Sequence, residues 1–177
     1  MAAPVLILTG PPGVGKTTAA ATLAQTRPRS VHLETDFFFR SIVSDYVPPW
    51  LPESQDQNQL AMGLAADGAA AYARAGYFTV VEGIVIPRWF LAPLRETLRE
   101  AGLDTAYAVL RAPLDECLGR ITEREGLLPE RDAIAGIWEE FADLGEHEGH
   151  AVEVSGCAAA EIVQRLEQRL ADGSLTL

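Results

Sequence analysis

A glycine-rich stretch near the start of the chain constrains the fold more than any other feature. It reads Gly10-Pro11-Pro12-Gly13-Val14-Gly15-Lys16-Thr17 and is followed by Thr18. These residues fill the four defining positions of the pattern G-x-x-x-x-G-K-[ST], the Walker A or P-loop pattern. An apolar run, residues 5–8, precedes the stretch, and a helix-forming run, residues 19–24, follows it. The pattern requires this position between a strand and a helix.

The chemistry of the stretch explains its composition. Glycines let successive backbone N–H groups point at a polyphosphate, and the N-terminus of the following helix adds partial positive charge. Lys16 is expected to reach the β- and γ-phosphates, and the Thr17 hydroxyl to bind Mg²⁺. We therefore predict that residues 10–18 bind the phosphates of a nucleoside triphosphate, with ATP and Mg²⁺ as the cofactors.

Composition narrows the class of partner. The chain has 177 residues, a length that predicts one domain over residues 1–177. Its net charge of −11 argues against nucleic acid or an anionic membrane surface as a partner. The chain has two cysteines, no basic leader and no long apolar run, and these features predict a cytoplasmic protein. We expect it to be a monomer or a homodimer. A small molecule is the expected partner.

Apolar segments alternate with helical patterns along the chain. Five of them read as strands, at residues 4–9, 31–35, 78–81, 104–111 and 150–154. A long helix is predicted over residues 54–75, where Leu60, Leu64, Ala71 and Ala75 recur at helical spacing before Gly76. This order predicts an α/β fold, a three-layer α/β/α arrangement with a five-stranded parallel sheet of the P-loop NTPase type.

Ligands of such sheets bind at the carboxyl ends of the strands. The residues at these ends are Gly10, Asp36, Glu82, Arg111 and Ser155. We therefore expect them to lie along one edge of the sheet, around the predicted phosphate site.

On the P-loop and the order of its elements, the chain resembles the small P-loop kinases. These include shikimate, gluconate and nucleoside monophosphate kinases and the chloramphenicol phosphotransferase type. In that family an acidic residue after the second strand faces the phosphate acceptor, and Asp36 matches it. The resemblance implies that Asp36 accepts the proton of the acceptor hydroxyl or orients that hydroxyl. The alternative is that Asp36 only caps the helix starting at Phe37.

Residues 80–88 are similar to the strand-Asp-Gly-x-Pro-Arg region of nucleoside monophosphate kinases. Here Glu82 replaces the aspartate, and two extra residues precede Pro87 and Arg88. The resemblance implies that Glu82 contacts the Mg²⁺ shell and the acceptor region. It also implies that Arg88 reaches the acceptor, with a surface arginine at a helix start as the alternative.

Arg120 and Arg124 lie four residues apart, in a segment that looks like the family's lid over residues 119–131. Guanidinium groups there would stabilise the charge of the transferring phosphoryl group. The alternative is surface pairing with nearby glutamates. Gly156 follows the last predicted strand and resembles the family's loop beside the adenine base.

Aromatic residues are concentrated where this family binds its acceptor. We assign Phe39, Arg40 and Trp50 to the acceptor site, together with Asp36, Glu82 and Arg88. The other aromatic side chains of these segments are Phe37, Phe38, Tyr46, Trp89 and Phe90. Part of this set is expected to be core, because aromatic side chains are often buried.

These features predict an ATP-dependent phosphotransferase that moves the γ-phosphate to a hydroxyl of a metabolite or an antibiotic. One alternative is a nucleoside or nucleotide kinase. Another is a nucleotide-binding protein that confers resistance or regulation without phosphoryl transfer. A motor-type or AAA+ ATPase is less well supported, because 177 residues leave no room for the added helical domain.

Overall fold

The computed structural model describes residues 2–121 and 131–177. Within those ranges, no helix is both long enough and apolar enough to cross a membrane. The strands are β1 (Val5–Thr9), β2 (Ser30–Glu34), β3 (Phe78–Glu82), β4 (Thr105–Arg111) and β5 (Ala151–Glu153). The α-helices are α1 (Lys16–Gln25), α2 (Asp36–Arg40), α3 (Gln55–Arg74), α4 (Ala92–Glu100), α5 (Leu114–Ile121), α6 (Arg131–Glu139) and α7 (Ala159–Ala171). Short 3-10 helices span Pro52–Ser54 and Gly145–His150, and a π-helical turn spans Pro87–Leu91.

The five strands form one parallel sheet in the order β2-β3-β1-β4-β5. The P-loop strand β1 is central and pairs with β3 on one side and β4 on the other. This arrangement confirms the predicted α/β fold. It places the carboxyl ends of β2, β3 and β1 beside one another, with the P-loop in the middle of that edge.

Alternate side chains of β1 enter two separate cores. Val5 and Ile7 pack in the core on the face covered by α3 and α4. Leu6 and Leu8 pack in the core on the face covered by α1 and α7. Because both faces of the sheet are covered, the strand reads as a continuous apolar run instead of an alternating pattern.

The buried face of α3 differs from the one that its leucines suggest. The helix is confirmed, and Gly76 follows it with φ 83°. Leu60 and Leu64, however, are 62% and 46% exposed. The buried side chains are mostly alanines: Asn58, Ala61, Met62, Ala65, Ala66, Ala69, Ala70 and Ala73. Small side chains let α3 lie close to the sheet, which leaves the longer leucines on the solvent side.

This reversal predicts an unequal response to substitution. Leu64→Gln is expected to change the free energy of unfolding by about 0.5 kcal/mol or less, as at ordinary surface positions. Ala69→Leu, at a fully buried site, is expected to cost about 1–3 kcal/mol because the added atoms have no space. Urea unfolding of both variants measures the difference. A larger loss for Leu64→Gln than for Ala69→Leu would contradict the assigned face.

Candidate active site

The backbone between β1 and α1 forms a cradle that only glycine fits. Gly10, Gly13 and Gly15 have φ values of 140°, 79° and 101°, in the region that side chains strongly disfavour. A Cβ on Gly10 would lie 2.3 Å from the Leu110 carbonyl oxygen, and one on Gly13 would lie 2.2 Å from that of Cys117. The loop therefore lies directly against the end of β4 and against α5. Its close approach and its glycines fit the shape that a bound polyphosphate requires.

Lys16 is the single lysine of the chain and begins α1. Its side chain is buried, and Nζ donates a hydrogen bond of 3.0 Å to the Pro11 carbonyl oxygen. The ammonium group is thereby held across the P-loop at a helix N-terminus. Both features favour an anion at this point.

Glu82 connects the end of β3 to the P-loop. Its Oε2 accepts a hydrogen bond of 3.2 Å from the Thr17 hydroxyl and lies 3.5 Å from His32 Nε2. Burial alone would raise the pKa of Glu82, but His32, the Lys16 charge and Thr17 outweigh burial and hold the pKa below its ordinary value. An ionised carboxylate beside a hydroxyl supplies the oxygen ligands that Mg²⁺ prefers. The residues present therefore fit the predicted metal.

His32 was missed by the sequence analysis. It lies on β2 opposite Val80 of β3, two residues from Glu82. A polar residue within an otherwise apolar strand, next to a strand that ends in a carboxylate, was the available signal. Through its distance to Glu82 Oε2, His32 belongs to the environment of the predicted metal ligand.

Asp36 begins α2 immediately after β2. Thr35 occupies the N-cap position and no side chain makes a capping hydrogen bond, so the structure does not use Asp36 as the cap. Asp36 is exposed to solvent. Its pKa is nevertheless raised, first by partial desolvation and then by the negative charge of Glu82, and the positive charges of Lys16 and Arg40 oppose this rise. Asp36, Glu82 and Lys16 therefore lie within electrostatic reach of one another.

The raised pKa predicts a gain in stability when Asp36 is neutralised. A carboxyl group whose pKa is higher in the folded protein stabilises the fold at low pH, and this contribution is lost as the pH rises through the folded pKa. Asp36→Asn is therefore expected to raise the free energy of unfolding at pH 7. The gain should shrink as the pH falls toward 3.8, the ordinary value for the group. Urea unfolding across this range tests the sign, and a less stable Asn variant at pH 7 would contradict it.

Arg120 both contacts the P-loop and pairs with a glutamate of its own helix. Nη1 donates a hydrogen bond of 3.1 Å to the Val14 carbonyl oxygen of the P-loop. Its other terminal nitrogen pairs with Glu116, four residues earlier on α5. Glu116 in turn accepts hydrogen bonds of 2.8 Å from Ser155 Oγ and 3.2 Å from the Gly156 backbone. The ion pair with Glu116 therefore holds the Arg120 guanidinium group against the P-loop.

A cavity of about 380 Å³ opens beside this pair. It is lined by Gly13, Val14, Gly15, Thr18, Arg120, Cys157, Ala159 and Ile162. Gly156, next to the lining, has φ 66°. The cavity thus brings together the P-loop, Thr18, Arg120 and the segment after β5, as a nucleotide site requires. Arg124 and most of the predicted lid lie outside the described residues.

The predicted acceptor residues separate into exposed and packed groups. Trp50 is 43% exposed, and Phe39 is half-buried against the core that α3 and α4 cover. Arg40 Nη2 lies 3.5 Å from Glu34 Oε2, and both side chains are exposed. Arg88 pairs with Glu140, and its guanidinium carbon lies 4.9 Å from the centre of the Trp89 ring. Both arginines thus have acidic partners.

A known protein family covers most of the chain. The family model described as "AAA domain" matches residues 5–144. The matched range runs from β1 through α6 and includes the P-loop. The family has the word AAA in common with the AAA+ ATPases, which the sequence analysis supported less well than a kinase. No match is found among curated proteins.

Solved structures share the fold over nearly the whole chain. The tunicamycin resistance protein of Deinococcus radiodurans has a TM-score of 0.72 and 19% identity, with 95% of each chain covered. A gluconokinase from Sinorhizobium meliloti 1021 has a TM-score of 0.68 and 20% identity, with 97% of each chain covered. Shikimate kinase from Acinetobacter baumannii, in complex with shikimate, has a TM-score of 0.66 and 20% identity over 98% of this chain and 96% of that one. The resemblance to small P-loop kinases is confirmed at the level of the fold.

Proposed function

The chain belongs to the AAA domain family, and we propose that it is a P-loop kinase in which residues 1–177 form one domain. It transfers the γ-phosphate of ATP to a hydroxyl group of a small molecule, a metabolite or an antibiotic. The observation that carries the proposal is that Asp36, Glu82 and Lys16 lie at or just beyond the carboxyl ends of the adjacent strands β2, β3 and β1. A site for phosphate alone has no need of the carboxylate of Asp36.

The donor half of the site binds the phosphates. The P-loop amides and Lys16 hold the phosphate chain, and Thr17 and Glu82 hold Mg²⁺, which neutralises phosphate charge when bound. Arg120 contacts the nucleotide beside Gly156, and Arg120 and Arg124 stabilise the charge that spreads over the transferring group.

The acceptor half consists of Asp36 and the side chains around it. Asp36 takes up the proton of the attacking hydroxyl or holds that hydroxyl in line with the γ-phosphate. Its raised pKa brings its proton affinity closer to that of a useful base. Trp50, Arg40, Phe39 and Arg88 surround the acceptor in this proposal.

A screen of ATP consumption tests the function. Purified protein with ATP and Mg²⁺ is incubated with sugars, shikimate-like acids, nucleosides and hydroxylated antibiotics. The proposal expects ADP release above the background rate with at least one hydroxyl compound. Stimulation by nucleosides alone would instead identify a nucleoside kinase. ATP binding without stimulation by any compound would favour a nucleotide-binding regulator.

A further inference from the structure

The segment between α2 and α3, residues 41–51, is fastened to the start of α3; we call it the acceptor loop. Gln57 makes two hydrogen bonds to the backbone of Val47, accepting from its N–H at 2.9 Å and donating to its carbonyl oxygen at 2.6 Å. Asn58 Nδ2 and Ser54 Oγ both donate to the Pro49 carbonyl oxygen, at 2.8 and 2.9 Å. These polar bonds hold the loop against the start of α3 and the turn before it.

The apolar side chains of the loop consequently remain exposed. Val43 is 94% exposed, and Tyr46, Trp50 and Leu51 are 44%, 43% and 41% exposed. Phe37 of α2 adds a further ring at 60%. Large exposed apolar groups concentrated in one short segment indicate a binding surface.

The acceptor loop directly follows α2, the five-residue helix that begins at Asp36. Burial raises the pKa of Tyr46, and the negative charge of Asp36 adds to the rise, so the phenol lies within electrostatic reach of the carboxylate. Asp45, just before Tyr46, has φ 62°, a conformation rare outside glycine. Aspartate adopts this conformation more often than most residues, and here it turns the chain just before Tyr46.

The charge of this region opposes an anion. Residues 34–56 contain five acidic residues and one arginine, a net charge of −4. The arginine, Arg40, lies 3.5 Å from Glu34, and Arg88 pairs with Glu140. A carboxylated or phosphorylated acceptor would approach Asp36 and Glu34, and it would compete with Glu34 and Glu140 for the two arginines of the acceptor side.

We propose that the acceptor is a hydroxyl compound with a ring or other apolar portion and no negative charge. The apolar portion lies on Tyr46 and Trp50, and the hydroxyl group reaches Asp36. This inference rests on the proposed function, which it deepens by naming the substrate class.

Three small probes that share a phenyl ring and a hydroxyl group, and differ in the charge of one further polar group, test the class. They are 3-phenyl-1,2-propanediol, which is neutral, phenylalaninol, which is cationic, and 3-phenyllactate, which is anionic. Binding is measured by saturation-transfer NMR with ADP and Mg²⁺ present, so that no phosphoryl transfer is needed. The diol and phenylalaninol are expected to bind at least about fivefold tighter than phenyllactate, the order of effect that an unfavourable like-charge contact produces.

Matched variants locate the binding. Trp50→Ala is expected to weaken binding of the diol more than Trp50→Phe, because phenylalanine keeps an aromatic ring at this position. Tyr72→Ala removes a ring of similar exposure, 44%, which lies about 25 Å along α3 from the start of that helix, and it should leave binding unchanged. Glu34→Gln removes a negative charge and releases Arg40 from its ion pair. It should therefore reduce the difference in affinity between the diol and phenyllactate.

The outcomes separate this inference from the proposed function. Equal or tighter binding of phenyllactate, no binding of any probe, or equal losses in Trp50→Ala and Tyr72→Ala would overturn the substrate class. None of those results affects transfer to an anionic acceptor, which the ATP-consumption screen detects independently. If no compound stimulates ATP consumption while the probes still bind as expected, then the proposed kinase activity is wrong and the proposed binding surface stands.

Discussion

Asp36→Asn is expected to lower kcat by about 100-fold or more with the best acceptor found, the usual contribution of a group that receives or orients a proton. The asparagine keeps the shape of the side chain but neither carries a negative charge nor accepts a proton. No side chain caps α2 with a hydrogen bond, and Thr35 occupies the N-cap position. The fold therefore has no need of this carboxylate.

The accompanying measurements decide what the loss means. The affinity for MgATP should stay within a fewfold of wild type, because Lys16 and the P-loop hold the phosphates. Asp67→Asn, the same chemical change on the exposed side of α3, should leave kcat unaltered. If Asp36→Asn retains full ATP binding and an unchanged rate, then the assignment of this carboxylate to the acceptor is wrong.

Lys16→Ala is expected to lower kcat/KM by about 100- to 1,000-fold, as when a group that stabilises charge in the transition state is removed. It should also weaken MgATP binding, because no other lysine exists in the chain. Lys16→Arg keeps the charge but not the compact ammonium geometry, and we expect it to recover binding more than rate. A Lys16→Ala variant with a rate within tenfold of wild type would contradict the donor site.

The single lysine offers a direct readout of the same contact. Reductive methylation modifies Lys16 and the N-terminal amine only, since the chain has no second lysine. MgATP is expected to slow methylation at Lys16 and to leave the N-terminal amine unaffected, which serves as the internal control. Equal rates with and without MgATP would place the phosphates elsewhere.

The sequence predicted most where local chemistry leaves few options. The P-loop needs glycine at Gly10 and Gly13 because any Cβ would collide with the backbone of β4 or α5. A motif of that kind also identifies β1 and α1 on either side of it. The alternation of apolar strands and helices was then enough to predict the parallel sheet.

Features set by tertiary packing could not be read in the same way. Which face of α3 is buried depends on how closely the helix approaches the sheet, and this favours Ala65 and Ala69 over Leu60 and Leu64. The place of His32 beside Glu82 depends on the pairing of β2 with β3. Phe39 and Trp50 are both aromatic in sequence, and only the fold separates a packed ring from an exposed one.

The destination of the γ-phosphate tests the central claim most directly. ATP labelled at the γ-position is incubated with Mg²⁺, the protein and the best acceptor of the screen, and the products are separated and examined by ³¹P NMR. We predict that the label appears in a phosphate monoester of the acceptor, and that Asp36→Asn suppresses this product. Label found only in inorganic phosphate, at the same rate with and without the acceptor, would contradict the assignment of the protein as a kinase.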